Sequence, residues 1–367
     1  MERPSCEVVI SADAPDALIE VCGLSLLERL LRNLQRLGLR EVTIASSTPA
    51  EIEAHLRQPS WARTEVRWKL GRATSTRRLV IPAAAYYDPR LLRVLLNCDD
   101  AAILVDTATG TKCGPEILDE RSANCRTIDV AQQPAYLVDL RRDLRPIWFP
   151  APRDEQQRRA AERELLDAAQ NGTLDFPARV HAPIETWIIA RLCKTRITPN
   201  QITLFNAGVS ILVTVLFAAG YLWSGTILAL IIGVLDGLDG KQARVKVEST
   251  KLGKREHAID YVLELSWWSA LASRFSAYGA FVLLVVSDLV DRVAKRAVKK
   301  RTGRNLDDVA PVDRFVRLIG GRRNIYVWMF AASLLTGIPD QGFFCMCVWG
   351  ALTAAVHVVR AFWITRR

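Results

Sequence analysis

The chain has 367 residues, enough for two domains, and half of them are apolar. Its formal net charge of +10 would suit nucleic acid, but the basic residues are concentrated between apolar segments, where anionic lipid headgroups are the nearer partner, so we expect no nucleic-acid ligand. The eight cysteines include no Cys-x-x-Cys pair, which argues against a zinc site or a disulfide framework and favours small apolar roles.

The composition changes near residue 200. Before about residue 195 charged and apolar residues are mixed evenly, whereas from Ile202 onward long apolar runs are separated by short polar joints. This predicts a cytoplasmic α/β domain at 1–150, a connector with an interfacial helix at 151–196, and a membrane domain at 197–367. The N-terminal sequence resembles neither a signal peptide nor a transit peptide, so we expect the first domain to remain in the cytoplasm.

Strands and helices alternate in the first domain, which indicates an α/β fold of Rossmann-like type. The pattern Ser25-x-x-Glu28 is a capping box that marks the start of a helix. The predicted elements, in chain order, are a strand at 7–11, a helix from Ser25 to Gly38, a strand at 42–45, a helix from Pro89 to Leu96 and a strand at 102–105.

The stretch from Val21 to Gly38 resembles the segment that follows the phosphate loop in sugar-nucleotide and cytidylyl transferases. Such enzymes need a glycine-rich loop and a basic residue beside the triphosphate. The corresponding place here, residues 11–16, has neither glycine nor lysine, and residues 79–85 lack the aspartate that the family uses for metal. The resemblance therefore implies a degenerate, catalytically silent nucleotidyltransferase-like domain, with an unusual active transferase as the alternative.

Two helical segments are predicted in the connector. Residues 153–169 are rich in charge at helical spacing, and we interpret them as a solvated connector. After Pro183, the segment 184–196 has an apolar face with Trp187 and flanking cations, which is typical of a helix that lies in the headgroup layer. A helix packed on the first domain is the alternative.

Six apolar segments predict an all-α domain with six membrane spans. They lie at about 199–221, 225–240, 257–275, 277–291, 325–338 and 342–363. Thr198, Pro199 and Gln201 supply a cap, a first-turn proline and a capping glutamine at the start of the first span. Because the stretches 241–255 and 292–323 are strongly basic, the positive-inside rule places them and both termini in the cytoplasm, at a cytoplasmic membrane of bacterial or archaeal type.

Acidic residues stand where the second and third spans meet the cytoplasm. Asp236 and Asp239 share one helical face, and Glu256, Asp260 and Glu264 repeat at four-residue spacing in the next span. Carboxylates near hydrocarbon are costly without a compensating charge, which a hard divalent cation supplies. Two facing acidic stripes therefore predict a metal cage that grips both phosphates of a diphosphate, although Glu264 by itself is expected to pair with a nearby cation.

This region resembles the signature D-x2-D-G-x2-A-R-x8-G-x3-D-x3-D of the CDP-alcohol phosphotransferases. The first half matches at Asp236, Asp239, Gly240, Ala243, Arg244 and Gly253. In the second half the family spacing leads to His257 and Tyr261, whereas Glu256 and Asp260 come one residue early. We favour Glu256 and Asp260 as the functional pair, with His257 as the alternative ligand.

The resemblance covers about residues 184–367 and implies transfer of a phospho-alcohol from a CDP-alcohol to an acceptor hydroxyl, with release of CMP. The products would be phospholipids or inositol-phosphate diesters, and the layout resembles bifunctional inositol-phosphate cytidylyltransferase/di-inositol-phosphate-phosphate synthases. It also implies a homodimer, two Mg²⁺ or Mn²⁺ ions and Asp260 as general base. The implied metal ligands are Asp236, Asp239, Glu256 and Asp260. The implied CDP-binding residues are Asp236, Gly240, Ala243, Arg244 and Gly253.

The sequence leaves alternatives for several basic residues and for the function. The arginines at 314, 317, 322 and 323 are predicted either to hold an acceptor phosphate or to bind lipid headgroups, and His357 and Arg360 either line the cavity or reach toward the interface. A transporter is one rival, because intramembrane carboxylates also mark ion pathways, but no inverted repeat supports it. A non-catalytic scaffold of the same fold is the other.

Overall fold

The computed structural model describes residues 6–58, 64–120, 122, 124–172, 174–248 and 256–366. An N-terminal α/β region is followed by a helical region, as the composition predicts. The strands, all in the first domain, are β1 (Glu7–Ser11), β2 (Glu20–Val21), β3 (Leu24–Ser25), β4 (Glu41–Ala45), β5 (Arg67–Leu70), β6 (Arg77–Pro82), β7 (Ala85–Tyr87), β8 (Ala101–Asp106), β9 (Thr111–Asp119), β10 (Cys125–Asp129), β11 (Tyr136–Leu137), β12 (Arg142–Asp143) and β13 (Trp148–Pro150).

Seven of these strands form one sheet in the order β10-β8-β9-β6-β1-β4-β5. Strand β9 runs antiparallel to both of its neighbours, β6 and β8, and the other four pairs are parallel. The α/β class predicted from the alternating pattern is confirmed. The sheet is mixed rather than wholly parallel, and the Rossmann-like part of the prediction is not confirmed.

Three helices pack in the first domain: α1 (Leu26–Arg36), α2 (Pro49–Arg57) and α3 (Pro89–Leu96). Helix α1 begins where its sequence predicts, because the Ser25 side chain accepts a hydrogen bond from the Glu28 amide. Its leucines at 27, 30, 31 and 34 are buried against the sheet in one apolar core. The opposite face of α1 carries arginines, and these reach the membrane domain.

The connector consists of α4 (Glu155–Ala168) and α5 (Phe176–Leu192). Helix α4 is more than a solvated connector, because Leu165 and Leu166 are buried in a core shared with Ile189 of α5 and Leu26 of α1. Helix α5 begins eight residues before the predicted interfacial segment and continues through Pro183. Its exposed apolar side chains, at about one-turn spacing, are Phe176, Val180, Ile184 and Trp187.

The membrane domain contains α6 (Pro199–Ala218), α7 (Leu222–Val245), α8 (Glu256–Arg274), α9 (Tyr278–Thr302), α10 (Pro311–Ile319), α11 (Arg323–Leu335) and α12 (Pro339–Arg366). All but α10 coincide with predicted spans, and the Thr198 capping box is present at the start of α6. Among the described residues, three helices are long and apolar enough to cross a membrane, namely α6, α7 and α12. These support a membrane protein, whereas the count of six spans stays a prediction.

Helix α9 is longer than its apolar segment. The predicted span ends at residue 291, but the helix continues through a basic stretch to Thr302. Arginine and lysine are good helix formers, so the change from apolar to charged residues does not by itself end a helix. Gly303 ends it, with a left-handed φ of 70°.

Aromatic side chains fill the centre of the membrane domain. Trp267 and Trp268 of α8 are buried, and the Trp268 ring meets Tyr326 of α11 edge-on at 6.0 Å between centroids. Phe217 of α6 meets Phe330 of α11 in the same manner at 5.9 Å. This core fixes α8 against α6 and α11, and so fixes the helix that carries Asp260.

Three arginines of α1 hold the end of α7, the helix that carries Asp236 and Asp239. The hydrogen bonds run from Arg29 Nη1 to the carbonyl of Val245 (2.5 Å), from Arg32 Nη1 to that of Lys246 (2.8 Å), and from Arg36 Nη2 to that of Glu248 (2.6 Å). The last carbonyls of a helix lack intrahelical partners and form the negative end of the helix dipole. Cations from the first domain therefore stabilise this end.

Candidate active site

A cavity of about 520 Å³ lies where α7, α8, α9 and α11 meet the connector. Acidic and basic side chains both line it, and several of them belong to the predicted site. The lining residues on which the chemistry depends are Asp236, Gly240, Arg244, Asp260, Arg322 and Arg323.

The two carboxylates of α7 have different surroundings. Asp236 lines the cavity, and its Oδ2 lies 2.5 Å from Nη2 of Arg323. Asp239 is 3% exposed; its Oδ2 accepts a hydrogen bond from Thr203 Oγ1 at 2.6 Å, and its Oδ1 accepts one from the Gly240 amide at 2.7 Å. The Asp239 carboxylate is therefore held in one orientation by α6 and by its own helix.

Gly240 and Arg244 follow on the same stretch of α7 and both line the cavity. A Cβ added at Gly240 would lie 3.3 Å from Nη1 of Arg244, so the backbone and the guanidinium are close neighbours. Arg244 Nε donates to the carbonyl of Ala169 at 2.7 Å, which ties this part of the helix to the connector. The carbonyl of Ala243, between them, accepts a hydrogen bond from Arg36 at 3.2 Å.

Helix α8 brings Asp260, Tyr261 and Glu264 to the same cavity. Asp260 is close enough to Asp236 to feel its negative charge, together with the positive charge of Arg323. Glu264 Oε1 accepts a hydrogen bond from Trp268 Nε1 at 3.1 Å. Gly253 and the side chains of Glu256 and His257 lie outside the described residues, so the choice between the two registers stays a prediction.

The carboxylates are ligands of the type that a divalent cation prefers. Oxygen ligands from carboxylates are those that Mg²⁺ prefers, and Asp236 and Asp260 line one cavity. Within the part of the chain that is described, which leaves out the Glu256 side chain, no three acidic, histidine or cysteine side chains are grouped closely enough to hold a metal. In this structure the Arg323 guanidinium supplies the compensating charge beside Asp236.

The predicted basic cluster is brought together in part. Arg317 and Arg322 line the cavity and both donate to Asp307 Oδ2, at 3.1 Å and 2.8 Å. Arg314 instead donates to Asp308 Oδ1 at 2.6 Å, and the cavity lining does not include it. Three of the four arginines therefore lie on the cavity.

Residues 196–262 match the family model described as CDP-alcohol phosphatidyltransferase. This stretch of the chain is similar to members of that family. The family resemblance is thus confirmed over α6, α7 and the first residues of α8, which include Asp236, Asp239 and Asp260. Among solved structures, the chain is similar to the phosphatidylinositol phosphate synthase of Mycobacterium tuberculosis with CDP-DAG bound, at 18% identity over 50% of this chain and 94% of that one, with a TM-score of 0.38. None of the curated proteins matches the chain.

Sequence reasoning missed a lysine on the cavity wall of this domain. Lys241 is 2.7 Å from Oε2 of Glu185 on α5, and both residues line the cavity. A Cβ added at Gly237 would lie 2.8 Å from the same carboxylate oxygen, so a glycine at this place leaves room for Glu185. The two glycines at 237 and 240 were the available signal that other groups approach this helix closely.

The two basic residues considered in the last span have partners inside the domain. Nδ1 of His357 lies 2.5 Å from Oδ1 of Asp291, and Arg360 donates two hydrogen bonds to Asp313, at 2.7 Å and 3.0 Å. The cavity lining includes neither His357 nor Arg360. Asp291 does line the cavity, so this one side chain separates His357 from the cavity.

Hydrogen bonds join the segment after β1 to the segment after β4. Asp13 Oδ1 accepts hydrogen bonds from the amide and the hydroxyl of Ser47, at 2.6 Å and 2.8 Å. The Ala14 amide donates to Thr48 Oγ1 at 2.9 Å. Part of the segment 11–16 is thus engaged in contacts within the protein, and a silent nucleotidyltransferase-like domain stays a prediction.

Proposed function

We propose that this protein moves a phospho-alcohol group from a CDP-alcohol onto an acceptor hydroxyl and releases CMP. The observation that carries the proposal is the placement of Asp236 of α7 and Asp260 of α8 on one cavity that five arginines also line. The match of residues 196–262 to the CDP-alcohol phosphatidyltransferase family supports the same reaction.

The donor would bind along α7. Gly240 has no side chain, so a nucleotide can approach the helix backbone there, and Arg244 offers a guanidinium to its phosphates. Asp236, Asp239, Glu256 and Asp260 would hold Mg²⁺ or Mn²⁺, as two ions. When bound, such ions neutralise charge on the diphosphate and on the departing CMP.

In the proposed reaction the acceptor oxygen forms a bond to the phosphorus that carries the alcohol. The bond from that phosphorus to the bridging oxygen breaks, and CMP leaves with the electron pair. Asp260 takes the proton of the acceptor hydroxyl. Thr203 and the Gly240 amide keep the Asp239 carboxylate in a fixed orientation, so that little reorganisation is needed during the reaction.

A phosphate on the acceptor would bind Arg317, Arg322 and Arg323. A guanidinium has five N–H donors, so the hydrogen bond that Arg317 or Arg322 makes to Asp307 leaves donors for a second anion. Lys295 lines the same cavity and is paired with Asp291 at 2.6 Å. The acceptor side is therefore distinct from the donor side at Gly240 and Arg244.

We place the protein in a cytoplasmic membrane with six spans and both termini in the cytoplasm. The exposed apolar face of α5, which includes Trp187, suits a helix in the headgroup layer. Arg191 lies over the Trp187 ring at 3.7 Å, and a cation beside an aromatic ring is suited to the boundary between lipid and water. A homodimer is part of the same proposal.

One contact favours a non-catalytic scaffold as the second candidate. The Arg323 guanidinium, 2.5 Å from Asp236, compensates this carboxylate without a metal ion. A scaffold of the same fold would need no more than such an internal pair. It would bind neither divalent metal nor CDP, so the two candidates differ in a measurable property.

The test is CMP release by the purified full-length protein in detergent with Mg²⁺ or Mn²⁺. The donors are CDP-diacylglycerol and CDP-inositol, and the acceptors are a panel of alcohols and their phosphates. We expect metal-dependent CMP release that Asp239→Asn abolishes. Asp340→Asn, which changes an exposed aspartate at the start of α12, serves as control and should leave the rate unchanged. A wild-type protein that binds no CDP and releases no CMP would be a scaffold.

A further inference from the structure

A hairpin of the first domain reaches the turn between α9 and α10. The hairpin consists of β11 and β12, and the turn is a short 3-10 helix, Leu306–Asp308. The contacts are a hydrogen bond from Tyr136 to the Asp308 carboxylate, one from Asn305 Nδ2 to the carbonyl of Val138 (3.2 Å), and one from Arg141 Nη1 to Asp307 Oδ2 (3.4 Å). The first domain therefore contacts the membrane domain at a second place, away from the end of α7.

Asp307 is the centre of this contact. Its side chain is 4% exposed, and its Oδ2 accepts hydrogen bonds from Arg141, Arg317 and Arg322, while Lys295 Nζ lies 3.6 Å from its Oδ1. Burial raises the pKa of this carboxyl, but the cations around it outweigh burial and hold the pKa below its ordinary value. The carboxylate is thus ionised at neutral pH and is shared by three guanidinium groups, while Lys295 has a closer partner in Asp291, at 2.6 Å.

Three arginines around Asp307 exceed the single negative charge of this carboxylate. Arg317, Arg322 and Lys295 line the cavity, whereas the lining does not include Arg141. Because three arginines share Asp307, Arg141 competes with Arg317 and Arg322 for its charge. Arg141 therefore leaves more of the charge of Arg317 and Arg322 available to an anion in the cavity, and it restricts where Asp307 can hold them.

The backbone at Arg141 supports a role for its position. Its φ is 54°, in the left-handed region that residues other than glycine adopt rarely. Such conformations cost free energy and persist where surrounding contacts hold them, often at functional places. Here the left-handed backbone places a guanidinium from the first domain beside a buried carboxylate of the membrane domain.

We propose that Arg141 is a positioning residue for the acceptor phosphate. Through Asp307 it sets the orientation and the available charge of Arg317 and Arg322, so the first domain, without chemistry of its own, tunes the affinity of the cavity for a phosphate-bearing acceptor. This inference rests on the proposed function, because it assigns the acceptor side of the same cavity.

The test uses inorganic phosphate as the probe on the full-length protein in detergent. Its dissociation constant is measured by titration calorimetry for the wild type, Arg141→Ala, Arg141→Gln and Arg141→Lys. Binding of CDP is measured in parallel to report on the donor side. All three replacements keep a Cβ at the same left-handed backbone, so strain is matched among them, and elution on gel filtration checks folding.

Arg142→Ala is the matched control. Its side chain is 21% exposed against 20% for Arg141, but it binds Asp167 of the connector, at 3.0 Å, instead of Asp307. We expect Arg141→Ala and Arg141→Gln to weaken phosphate binding about 5- to 10-fold, the lower range of couplings between linked sites, with CDP affinity changed less than about 2-fold. Arg141→Lys should recover most of the affinity, and Arg142→Ala should match the wild type.

Equal losses in Arg141→Ala and Arg142→Ala would show a general structural effect and overturn the proposal. So would an unchanged phosphate affinity in all three Arg141 variants, or a wild-type protein that binds no phosphate. Failure of the proposed transfer reaction has a different signature: CDP binding and CMP release would be absent from the wild type while the dependence of phosphate binding on Arg141 persists.

Discussion

Arg32 of the first domain donates a 2.8 Å hydrogen bond to the carbonyl oxygen of Lys246, one residue beyond the end of α7. Its guanidinium also lies 3.8 Å from Oε1 of Glu248 and 2.5 Å from Oε1 of Glu28. The helix that carries Asp236 is therefore held at its C-terminal end by a buried cation from another domain. Each residue in this contact can be changed without touching the cavity.

Replacement of Arg32 is expected to destabilise the protein. Arg32→Ala removes a buried cation and leaves the Glu248 carboxylate in poorer surroundings, which should cost about 2–4 kcal/mol in the free energy of unfolding. Urea unfolding in detergent, followed by tryptophan fluorescence, measures the loss. Arg40→Ala changes an exposed arginine just after α1 and should stay within about 0.5 kcal/mol of the wild type. A loss below about 1 kcal/mol in Arg32→Ala would contradict this account.

Removal of the Thr203 hydroxyl is expected to slow catalysis. Thr203→Val keeps the shape of the side chain but removes the hydroxyl that donates to Asp239 Oδ2. Because a misplaced catalytic group slows the reaction, kcat for CMP release should fall about 10-fold. The KM for the CDP-alcohol should change less. Thr203→Ser keeps the hydroxyl and should recover most of the rate. Thr214→Val removes a hydroxyl on the same helix that contacts Ser266, and serves as control. Equal rates for Thr203→Val and the wild type would refute the positioning role.

A methyl group at position 240 is expected to weaken donor binding without unfolding the helix. The new Cβ would approach the flexible end of Arg244 at 3.3 Å, which can shift, and alanine favours a helix by about 1 kcal/mol over glycine. Gly240→Ala should therefore keep or raise stability while CDP affinity falls about 10-fold, because the methyl group occupies space where the backbone is open. Gly208→Ala makes the same change on α6 with no atom within 4 Å of the new Cβ, and CDP binding should be unaffected. Similar CDP affinities in both variants would place the nucleotide elsewhere.

Glu248 is expected to make stability depend on pH. Burial raises the pKa of Glu248 to about 7, although Arg32, Lys246 and Arg36 each lower it. The folded protein then binds more protons than the unfolded chain between about pH 4.5 and pH 7, so this group's contribution to stability is lost as pH rises through that window. The glutamine in Glu248→Gln stays neutral at every pH. The free energy of unfolding of this variant should therefore exceed that of the wild type by about 1–3 kcal/mol at pH 8 and differ little from it near pH 4.5.

The measurement is the thermal unfolding midpoint of wild type and Glu248→Gln at both pH values, in the same detergent. A variant that differs from the wild type by the same amount at pH 4.5 and pH 8 would show that Glu248 does not titrate in this window.

Local patterns were predictable from the sequence, and contacts between distant segments were not. The Thr198 cap and the Asp236 to Arg244 motif depend on residues within one or two helical turns, and the structure has both on helices as predicted. The ion pair of Asp236 with Arg323 joins segments far apart in the chain, so no spacing rule indicates it. The motif thus predicted which residues face the donor, whereas the electrostatic partners of those residues needed the fold.

The ion pairs of the basic stretch after α9 could not be predicted from the sequence. Its high density of Arg and Lys predicted a cytoplasmic loop. It did not indicate that Asp307 and Asp308 are the partners of the arginines in this stretch. Arg314 and Arg317 are three residues apart on α10 and looked equivalent in sequence, yet one binds Asp308 and the other binds Asp307. Counting charges gives the side of the membrane, but pairing depends on which carboxylates are buried.

The first domain stands before the membrane helices in the chain, and its α1 arginines receive the end of α7. Domains fold from the N-terminus during synthesis, so this receiving surface would exist before the ribosome makes α7 or the Asp307 turn. Each helix that is made later would then meet a partner that has already folded. The first domain would in this way act as a template for assembly, and the order of synthesis would be part of how the cavity is built.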